Sequence, residues 1–251
     1  MPKRRYPIPT VCVPWRPSPS RLAPFKRVMR FWEEIGWPVI TADSDTEIFS
    51  LAQARNNAVA KAATEVVVIA DADTIPDIAN VRAAVEHPDG VCWPFTRYRI
   101  ISPEYLDTPF EQLATVPILN TWDGEGIAGV GGCMVTTRAE YWRLGGTPPE
   151  FIGWGWEDTA FSAIAATLSH VKRIPGNVYA FEHNLTATGD YDNAVADSPG
   201  WDRNRDRNEA LMKPYQNAHG RQWLMREILR LRKAGEAGGR PLGSYGYPIG
   251  R

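Results

Sequence analysis

The chain has 251 residues, of which 43% are hydrophobic and 23% are charged, a composition typical of a folded globular protein with a sizeable core. Its net charge of −1 excludes a global field that would attract a polyanion. The three cysteines, Cys12, Cys92 and Cys133, lie far apart in the sequence, so neither a disulfide framework nor a zinc site is indicated. No segment approaches 18 apolar residues, and no apolar stretch follows the basic N-terminus. We therefore predict a cytoplasmic protein without a membrane span.

The first third of the chain alternates between short strands and helices. Strands are predicted at residues 10–14, 38–42 and 66–69. Apolar residues at helical spacing follow the first strand and end at Gly36, and Ser50 is a candidate cap for the helix before the third strand. This β-α-β-α-β order is typical of a parallel sheet with a ligand crevice at its carboxyl edge.

Two aspartates one residue apart follow the third strand, in the sequence EVVVIADADTIP. Asp71 and Asp73 would point to the same side if the extended geometry persists. Two carboxylates at this edge can hold a hard divalent cation that also binds phosphate oxygens. Aspartates are also common in turns for structural reasons, so the pair alone does not decide between a metal site and a turn.

The middle of the chain contains a long segment without clear periodicity, residues 103–129, for which we predict a lid or binding loop. A helix capped by Asp77 is predicted to run through residue 86. Further strands are predicted at residues 90–95, 131–135, 170–174 and 177–181, and a short helix at 138–144.

An aromatic and acidic stretch, FIGWGWEDTAF, begins at Phe151. Glu157 and Asp158 stand at a predicted helix start, where the helix dipole alone would favour acidic residues. Glycines beside large aromatic residues, in contrast, allow a flat ligand to approach closely. His183 follows the last predicted core strand, and a lone histidine is more often structural than a ligand.

The C-terminal region is basic, with 11 Lys and Arg against 4 Asp and Glu in residues 203–251. Such a surface faces either water or a phosphate-bearing partner. Helices are predicted at residues 201–215 and 222–233. We predict a main domain over residues 1–195 and a basic helical extension with a flexible tail over residues 196–251. Closure over an acceptor, self-association and recognition of a polymer are all open as roles for the extension.

In their order, these motifs resemble the GT-A fold nucleotide-sugar glycosyltransferases, both the family 2 enzymes and the C-terminal motif of the galactosyltransferases. The resemblance covers about residues 10–183 and rests on TVCVP, SLAQARNNAVAKA, VVVIADADTIP, GGCMVTTRAEYWRLGG and FIGWGWEDTAF. It implies an α/β, Rossmann-like fold with a mostly parallel central sheet flanked by helices, followed by the C-terminal helical extension. It also implies a hexosyltransferase-type transfer of sugar from a nucleotide-diphosphate donor, with a UDP-sugar favoured, to an acceptor hydroxyl.

The resemblance also implies roles for individual residues. DADT is similar to the family's Asp-x-Asp motif, so Asp73 is the implied ligand of Mn²⁺ or Mg²⁺, with Asp71 near the ribose or a metal-bound water and His183 as a further ligand. WGWED is similar to the motif that bears the catalytic acid residue, so Asp158 is the implied general base of an inverting transfer. Glu157 would bind donor or acceptor hydroxyls or act as the base itself. The implied donor-binding residues are Asp43, Arg55, Gly132, Cys133, Trp154 and Trp156.

Other functions are compatible with the same residues. An inert nucleotide- or glycan-binding protein could keep this fold, and retaining glycosyltransferases carry a related motif. Sugar-1-phosphate nucleotidyltransferases also bind metal with carboxylates, but they place a glycine-rich loop where this chain has PWRPSPSR. The acceptor can be a protein, a glycan, a lipid carrier or a nucleic acid.

Overall fold

The structure is a computed structural model that describes residues 7–123, 131–153, 155–182 and 204–237. Its strands are β1 Thr10–Pro14, β2 Val39–Ala42, β3 Val66–Ala70, β4 Thr74–Pro76, β5 Val91–Trp93, β6 Arg97–Ile101, β7 Ile118–Asp123, β8 Cys133–Thr137, β9 Val171–Arg173 and β10 Asn177–Phe181. Its α-helices are α1 Leu22–Ile35, α2 Leu51–Lys61, α3 Ile78–Glu86, α4 Arg138–Arg143, α5 Glu157–Leu168, α6 Arg205–Ala218 and α7 Gln222–Ala237.

The central sheet has six strands in the order β2-β1-β3-β8-β5-β9. Strand β8 pairs antiparallel with both of its neighbours, and the other three pairings are parallel, so five strands share one direction. Every residue of β3 is buried, as expected of a β-branched run covered on both faces. Helices α2, α3 and α4 pack on this sheet. The predicted α/β fold with a mostly parallel central sheet flanked by helices is therefore confirmed.

Local capping residues fix the helix ends where the sequence predicts them. The Ser50 hydroxyl accepts a hydrogen bond from the backbone N–H of Gln53, at the start of α2. The Asp77 carboxylate likewise accepts from the N–H of Ala79, at the start of α3. Helix α1 ends at Gly36, whose φ of 77° places it in the left-handed region.

The structure also contains a second sheet of four strands, in the order β4-β10-β6-β7, which was not predicted from the sequence. The prediction of an irregular lid over residues 103–129 is wrong for residues 103–123, which contain two short 3₁₀ helices and β7. Five of the six β7 residues are exposed, so this edge strand shows no alternation of buried and exposed side chains. Residues 124–129 lie outside the described ranges.

The C-terminal helices α6 and α7 pack against α5, which confirms the predicted helical character of this region. Met212, Tyr215, Met225 and Ile228 are buried and belong to the same hydrophobic cluster as the central sheet. The predicted boundary near residue 195 lies outside the described residues, as does the predicted flexible tail beyond the end of α7 at Ala237, so both stay predictions. None of the described helices combines the length and the apolar character that a membrane span needs. The cytoplasmic location stays a prediction.

The junction of β5 and β9 gives a stability prediction. Gly90 has a φ of +68°, and a Cβ added there would lie 2.1 Å from the carbonyl oxygen of His170. Gly36 has a similar φ of +77°, but nothing lies within 4 Å of its added Cβ. Both alanine variants lose about 1–2 kcal/mol of stability, because alanine is strained in left-handed backbone. Only Gly90→Ala must also move the strands β5 and β9 apart. We expect it to lower the free energy of unfolding in urea by about 1–3 kcal/mol more than Gly36→Ala. Equal losses would contradict this close contact.

Candidate functional site

The two acidic motifs of the sequence meet at one backbone segment. Asp71 follows β3, and Asp158 lies in the first turn of α5. A Cβ added to Gly131 would lie 3.1 Å from Asp158 Oδ2 and 3.4 Å from Asp71 Oδ2. The two carboxylates therefore converge on the backbone that leads into β8, at a position where a side chain would be crowded.

Two donors hold the Asp71 carboxylate. Oδ1 accepts a hydrogen bond of 2.7 Å from Arg55 Nη2, and Oδ2 accepts one of 2.7 Å from the backbone N–H of Gly132. The main chains are also joined, because the N–H of Asp71 donates to the carbonyl of Gly132 at 2.9 Å. The orientation of Asp71 is thus set by one side chain of α2 and by the backbone before β8.

Arg55 is buried, with only 5% of its surface exposed. Its second terminal nitrogen, Nη1, lies 3.5 Å from Glu157 Oε1, so one guanidinium connects α2, the end of β3 and the start of α5. Burial alone lowers the pKa of Arg55, but the charges of Asp71, Glu157 and Asp158 more than offset burial and raise that pKa above its ordinary value. The guanidinium of Arg55 contacts Asp71 and Glu157, and the contact with the nucleotide that the resemblance implies stays a prediction.

Glu157 is the most enclosed of the three acids. Burial, reinforced by the charge of Asp158, raises the pKa of Glu157 to about 8, although Arg55 opposes this shift. Three carboxylates surround a single cation, so their repulsion is relieved when one of them holds a proton. The protonated form of Glu157 is therefore favoured over a wider pH range than that of an exposed glutamate.

The start of α5 is reached through unusual backbone conformations. Gly153, Gly155 and Trp156 have φ angles of 75°, 97° and 75°. Trp156 is the only described non-glycine residue with positive φ, a conformation that is strained for a bulky side chain. Asp158 Oδ1 accepts from the backbone N–H and the hydroxyl of Thr159, at 2.6 and 3.2 Å. Trp154, an implied donor-binding residue, lies outside the described residues.

The predicted metal ligands are only partly within the described ranges. Asp73 is half-buried in the turn between β3 and β4, and its backbone carbonyl accepts a 2.9 Å hydrogen bond from Phe181. Its carboxylate is a donor type that suits Mn²⁺ or Mg²⁺. Within the described part of the chain, no three His, Cys, Asp or Glu side chains are grouped so that they could hold a metal ion. His183 lies outside the described residues, so the ligand set of Asp73, Asp71 and His183 stays a prediction.

Asp43, predicted to contact the base of the nucleotide, is held by Arg16. Both of its carboxylate oxygens lie 2.9 Å from Arg16 Nε, and 46% of its side-chain surface is exposed. The terminal nitrogens of Arg16 donate to the backbone carbonyls of Ser44, Thr46 and Glu47. The sequence analysis missed Arg16, because it lies among prolines that predict no regular element. Its five-donor fork shapes the loop that follows β2.

A small cavity lies below the carboxylates. It has a volume of about 20 Å³ and is lined by residues that include Arg55, Asp71, Cys133 and Asp158. This volume accommodates about one water molecule and no nucleotide. Cys133, predicted to lie beside the donor sugar, is buried, and burial raises the pKa of its thiol well above the ordinary value.

An aromatic pair beside the site was missed by the sequence analysis. The rings of Tyr98 in β6 and Trp122 in β7 stack, with centroids 5.3 Å apart and planes inclined by 22°. Tyr98 packs over Gly132, where an added Cβ would lie 3.0 Å from its ring. Burial, followed by the charges of Asp73, Asp71 and Asp158, raises the pKa of the Tyr98 hydroxyl well above its usual range. Trp122 is 44% exposed, so the pair presents an aromatic surface near the carboxylates. The aromatic and β-branched residues of RYRII and ILNTW were the available signal for these strands.

Comparison with known protein families gives a match to the segment that contains the motif FIGWGWEDTAF. A sequence model of one family, described as the N-terminal domain of galactosyltransferase, matches residues 121–184. Residues 121–184 are galactosyltransferase-like. This match confirms the predicted resemblance to nucleotide-sugar glycosyltransferases for about a quarter of the chain. No curated protein matches the chain significantly.

Solved structures with partial similarity are also glycosyltransferases. A mutant β1,4-galactosyltransferase 7 from Drosophila, in complex with manganese, UDP-Gal and xylobiose, is 18% identical, with 78% of this chain and 73% of that chain covered and a TM-score of 0.46. GalNAc-T7 with UDP, GalNAc and Mn²⁺ is 13% identical over 95% of this chain and 59% of that chain, with a TM-score of 0.49. A mannosyltransferase from Pyrobaculum calidifontis, in complex with GDP-Man and Mn²⁺, is 17% identical over 96% and 79%, with a TM-score of 0.45.

The raised pKa of Glu157 predicts a pH-dependent stability. Between the pKa of an unfolded glutamate and a folded value of about 8, the folded state binds more protons than the unfolded state. The contribution of Glu157 to stability is therefore greatest at acid pH and falls as pH rises through this window, by at most about 1.4 kcal/mol per pH unit. Glu157→Gln removes the titration. We expect the melting temperature of the wild type to fall relative to that of Glu157→Gln between pH 5 and pH 9.

Glu140 provides the control for this experiment. Hydrogen bonds from Arg143 lower the pKa of Glu140, so its contribution to stability is lost only at acid pH. Glu140→Gln should therefore show a constant difference from the wild type between pH 6 and pH 9. If Glu157→Gln also gave a constant difference, Arg55 would be keeping Glu157 ionised.

Proposed function

We propose that this protein is a metal-dependent glycosyltransferase that moves a sugar from a nucleotide-diphosphate donor, with a UDP-sugar favoured, to an acceptor hydroxyl. The observation that carries this proposal is the meeting of Asp71 and Asp158 at Gly131. These residues come from two motifs that lie far apart in the chain, and the second motif falls within the galactosyltransferase-like segment. A purely binding role would not require a second carboxylate beside the proposed donor site.

The donor side of the proposed reaction belongs to the turn after β3. We assign Asp73 as a metal ligand, with Asp71 and His183 completing the set. A bound Mn²⁺, which suits carboxylate and imidazole donors together, would neutralise the charge that develops on the departing diphosphate. Asp71 is fixed by Arg55 and by Gly132, so its carboxylate needs no rearrangement when a donor binds. Asp43 lies at the end of β2 and remains half exposed for contact with the base.

Asp158 is the general base in this proposal. Thr159 holds one oxygen of its carboxylate, so the other, Oδ2, keeps a fixed direction toward Gly131. The base takes the proton of the acceptor hydroxyl while the acceptor oxygen bonds to the anomeric carbon and the bond to the diphosphate breaks. Attack from the face opposite the leaving group inverts the anomeric centre. Glu157 is less suited to this role, because it is 5% exposed and lies against Arg55.

The acceptor side is proposed to include the exposed ring of Trp122. A sugar ring can pack on an aromatic face that is kept rigid by stacking on Tyr98. This favours a glycan among the acceptors that the sequence leaves open.

Metal-dependent nucleotide binding is the first test. UDP, GDP, CMP and dTDP are each added with and without Mn²⁺, and the melting temperature is measured. We expect one nucleotide to raise it only when metal is present, since a ligand at 100 times its Kd stabilises the folded state by about 2.7 kcal/mol. The shift should vanish in Asp73→Ala and persist in Asp107→Ala, an exposed aspartate whose side chain is 92% accessible. The absence of any metal-dependent shift would contradict the proposed donor site.

Substitution of the base tests catalysis separately from binding. Asp158→Asn keeps the shape of the side chain but cannot accept the proton. We expect the release of nucleoside diphosphate from the donor to slow by at least about 100-fold, while the metal-dependent melting shift remains. Glu157→Gln should retain more activity. The opposite ranking of these two variants would assign the base to Glu157, and full activity in both would remove the proposed mechanism.

A further inference from the structure

The backbone that leads into α5 is fixed at three consecutive carbonyls. We define the entry loop as residues 148–153. Within it, the carbonyl of Glu150 accepts from Arg207 Nη1 at 2.9 Å, and the carbonyl of Ile152 accepts from Asn208 Nδ2 at 2.9 Å. Between them, the carbonyl of Phe151 accepts from the hydroxyl of Ser50 at 2.8 Å. Each donor is a side chain far from the loop in sequence.

The donors come from two opposite elements. Ser50 caps α2, and the N–H of Gly153 also donates to the carbonyl of Phe49 at 3.0 Å, which fixes the loop to the α2 side. Arg207 and Asn208 belong to α6, in the C-terminal region. The entry loop is therefore clamped between the cap of α2 and the first turns of α6.

Side-chain packing reinforces the α6 side of the clamp. Asn208 is 0% exposed, so its amide is directed at the loop without competition from bulk water. Tyr215, about two helical turns after Asn208 in α6, packs its ring against Phe151 at a centroid distance of 6.2 Å. Its hydroxyl donates to the carboxylate of Glu150. These contacts hold both the backbone and the side chains of the loop.

The clamp lies immediately before the strained backbone at the start of α5. Gly155 and Trp156 have positive φ angles, and Trp156 directly precedes the two acids. A left-handed tryptophan persists only where its surroundings fix the chain on both sides. Helix α5 provides that constraint after Trp156, and the entry loop provides it before.

We propose that α6 is a positioning element for the acids of α5, with Asn208 as its central residue. This inference rests on the proposed transferase function and gives the C-terminal helices a role in it. Asn208 acts through the backbone of the entry loop and contacts no reacting atom. Release of the Ile152 carbonyl would let Gly153, Gly155 and Trp156 move to other φ angles, which would move Glu157 and Asp158 relative to Gly131. Displacement of a catalytic group by about 1 Å can slow a reaction by about 100-fold.

Hydrogen exchange of the free protein tests the structural half of this proposal without any ligand. We compare Asn208→Ala with Asn217→Ala, the same chemical change at an exposed position of the same helix. In Asn208→Ala we expect the amides of residues 150–158 to exchange about 10-fold or more faster than in the wild type, with β1 and β3 unchanged. Asn217→Ala should exchange like the wild type throughout.

Turnover of UDP-galactose, followed as release of UDP in the presence of Mn²⁺, tests the catalytic half. Asn208→Ala should lower kcat by about 10- to 100-fold with KM within about 2-fold, because the acids move while the donor site after β3 does not. Met212→Ala controls for general destabilisation, since Met212 is a buried α6 residue in the hydrophobic core. It should lower the melting temperature and leave kcat unchanged well below that temperature.

The outcomes separate this inference from the proposed function. Unchanged exchange at residues 150–158 in Asn208→Ala, or faster exchange spread evenly over the chain, would overturn the positioning role. A loss of kcat equal to that of Met212→Ala at matched stability would overturn it as well. If the wild type turned over no nucleotide sugar, the proposed function would fail, and the exchange data would still decide whether α6 holds the loop.

Discussion

The candidate site depends on one buried cation. Arg55 joins α2 to the end of β3 through Asp71 and to the start of α5 through Glu157. A buried ion pair of this kind adds little net stability, because desolvation offsets the attraction, but removal of one partner leaves a buried charge and costs about 3–5 kcal/mol. The ion pairs of Arg55 therefore favour one arrangement of α2, β3 and α5, because any other arrangement would leave a buried charge without a partner. Since the acids must stay together despite their mutual repulsion, the guanidinium is what allows them to converge.

Close backbone approach is the second constraint. The carboxylates of Asp71 and Asp158 both face Gly131, and the ring of Tyr98 lies against Gly132. Gly132 also has a φ of 102°, which a residue with a side chain rarely adopts. The pair of glycines thus lets a charged pair and an aromatic ring meet at one point of the main chain. This explains in physical terms why the motif that opens β8 begins with glycines.

The sequence predicted what local interactions decide. Apolar residues make up most of β1 and β10 and all of β3, and Ser50 and Asp77 are recognisable in the sequence as helix caps. Helix α2 buries Ala54 and Ala58 and also turns Arg55 inward, which its sequence pattern does not indicate, since the partners of Arg55 lie on other elements. The exposed strand β7 was missed for the same reason, because its place depends on pairing with β6 and not on its own pattern. Contacts between distant segments decided what sequence periodicity could not.

The geometry of the acids is accordingly a property of nearly the whole chain. The galactosyltransferase-like segment, residues 121–184, contains Gly131, Trp156 and both acids of α5. It lacks Arg55, which pairs with Glu157, and it lacks the donors of α2 and α6 that hold the entry loop. Because Trp156 is strained, a short segment has no means of keeping it left-handed by itself. The matched segment therefore contains the acids of α5, while the segments before and after it contribute the ion pair and hydrogen bonds that set the positions of these acids.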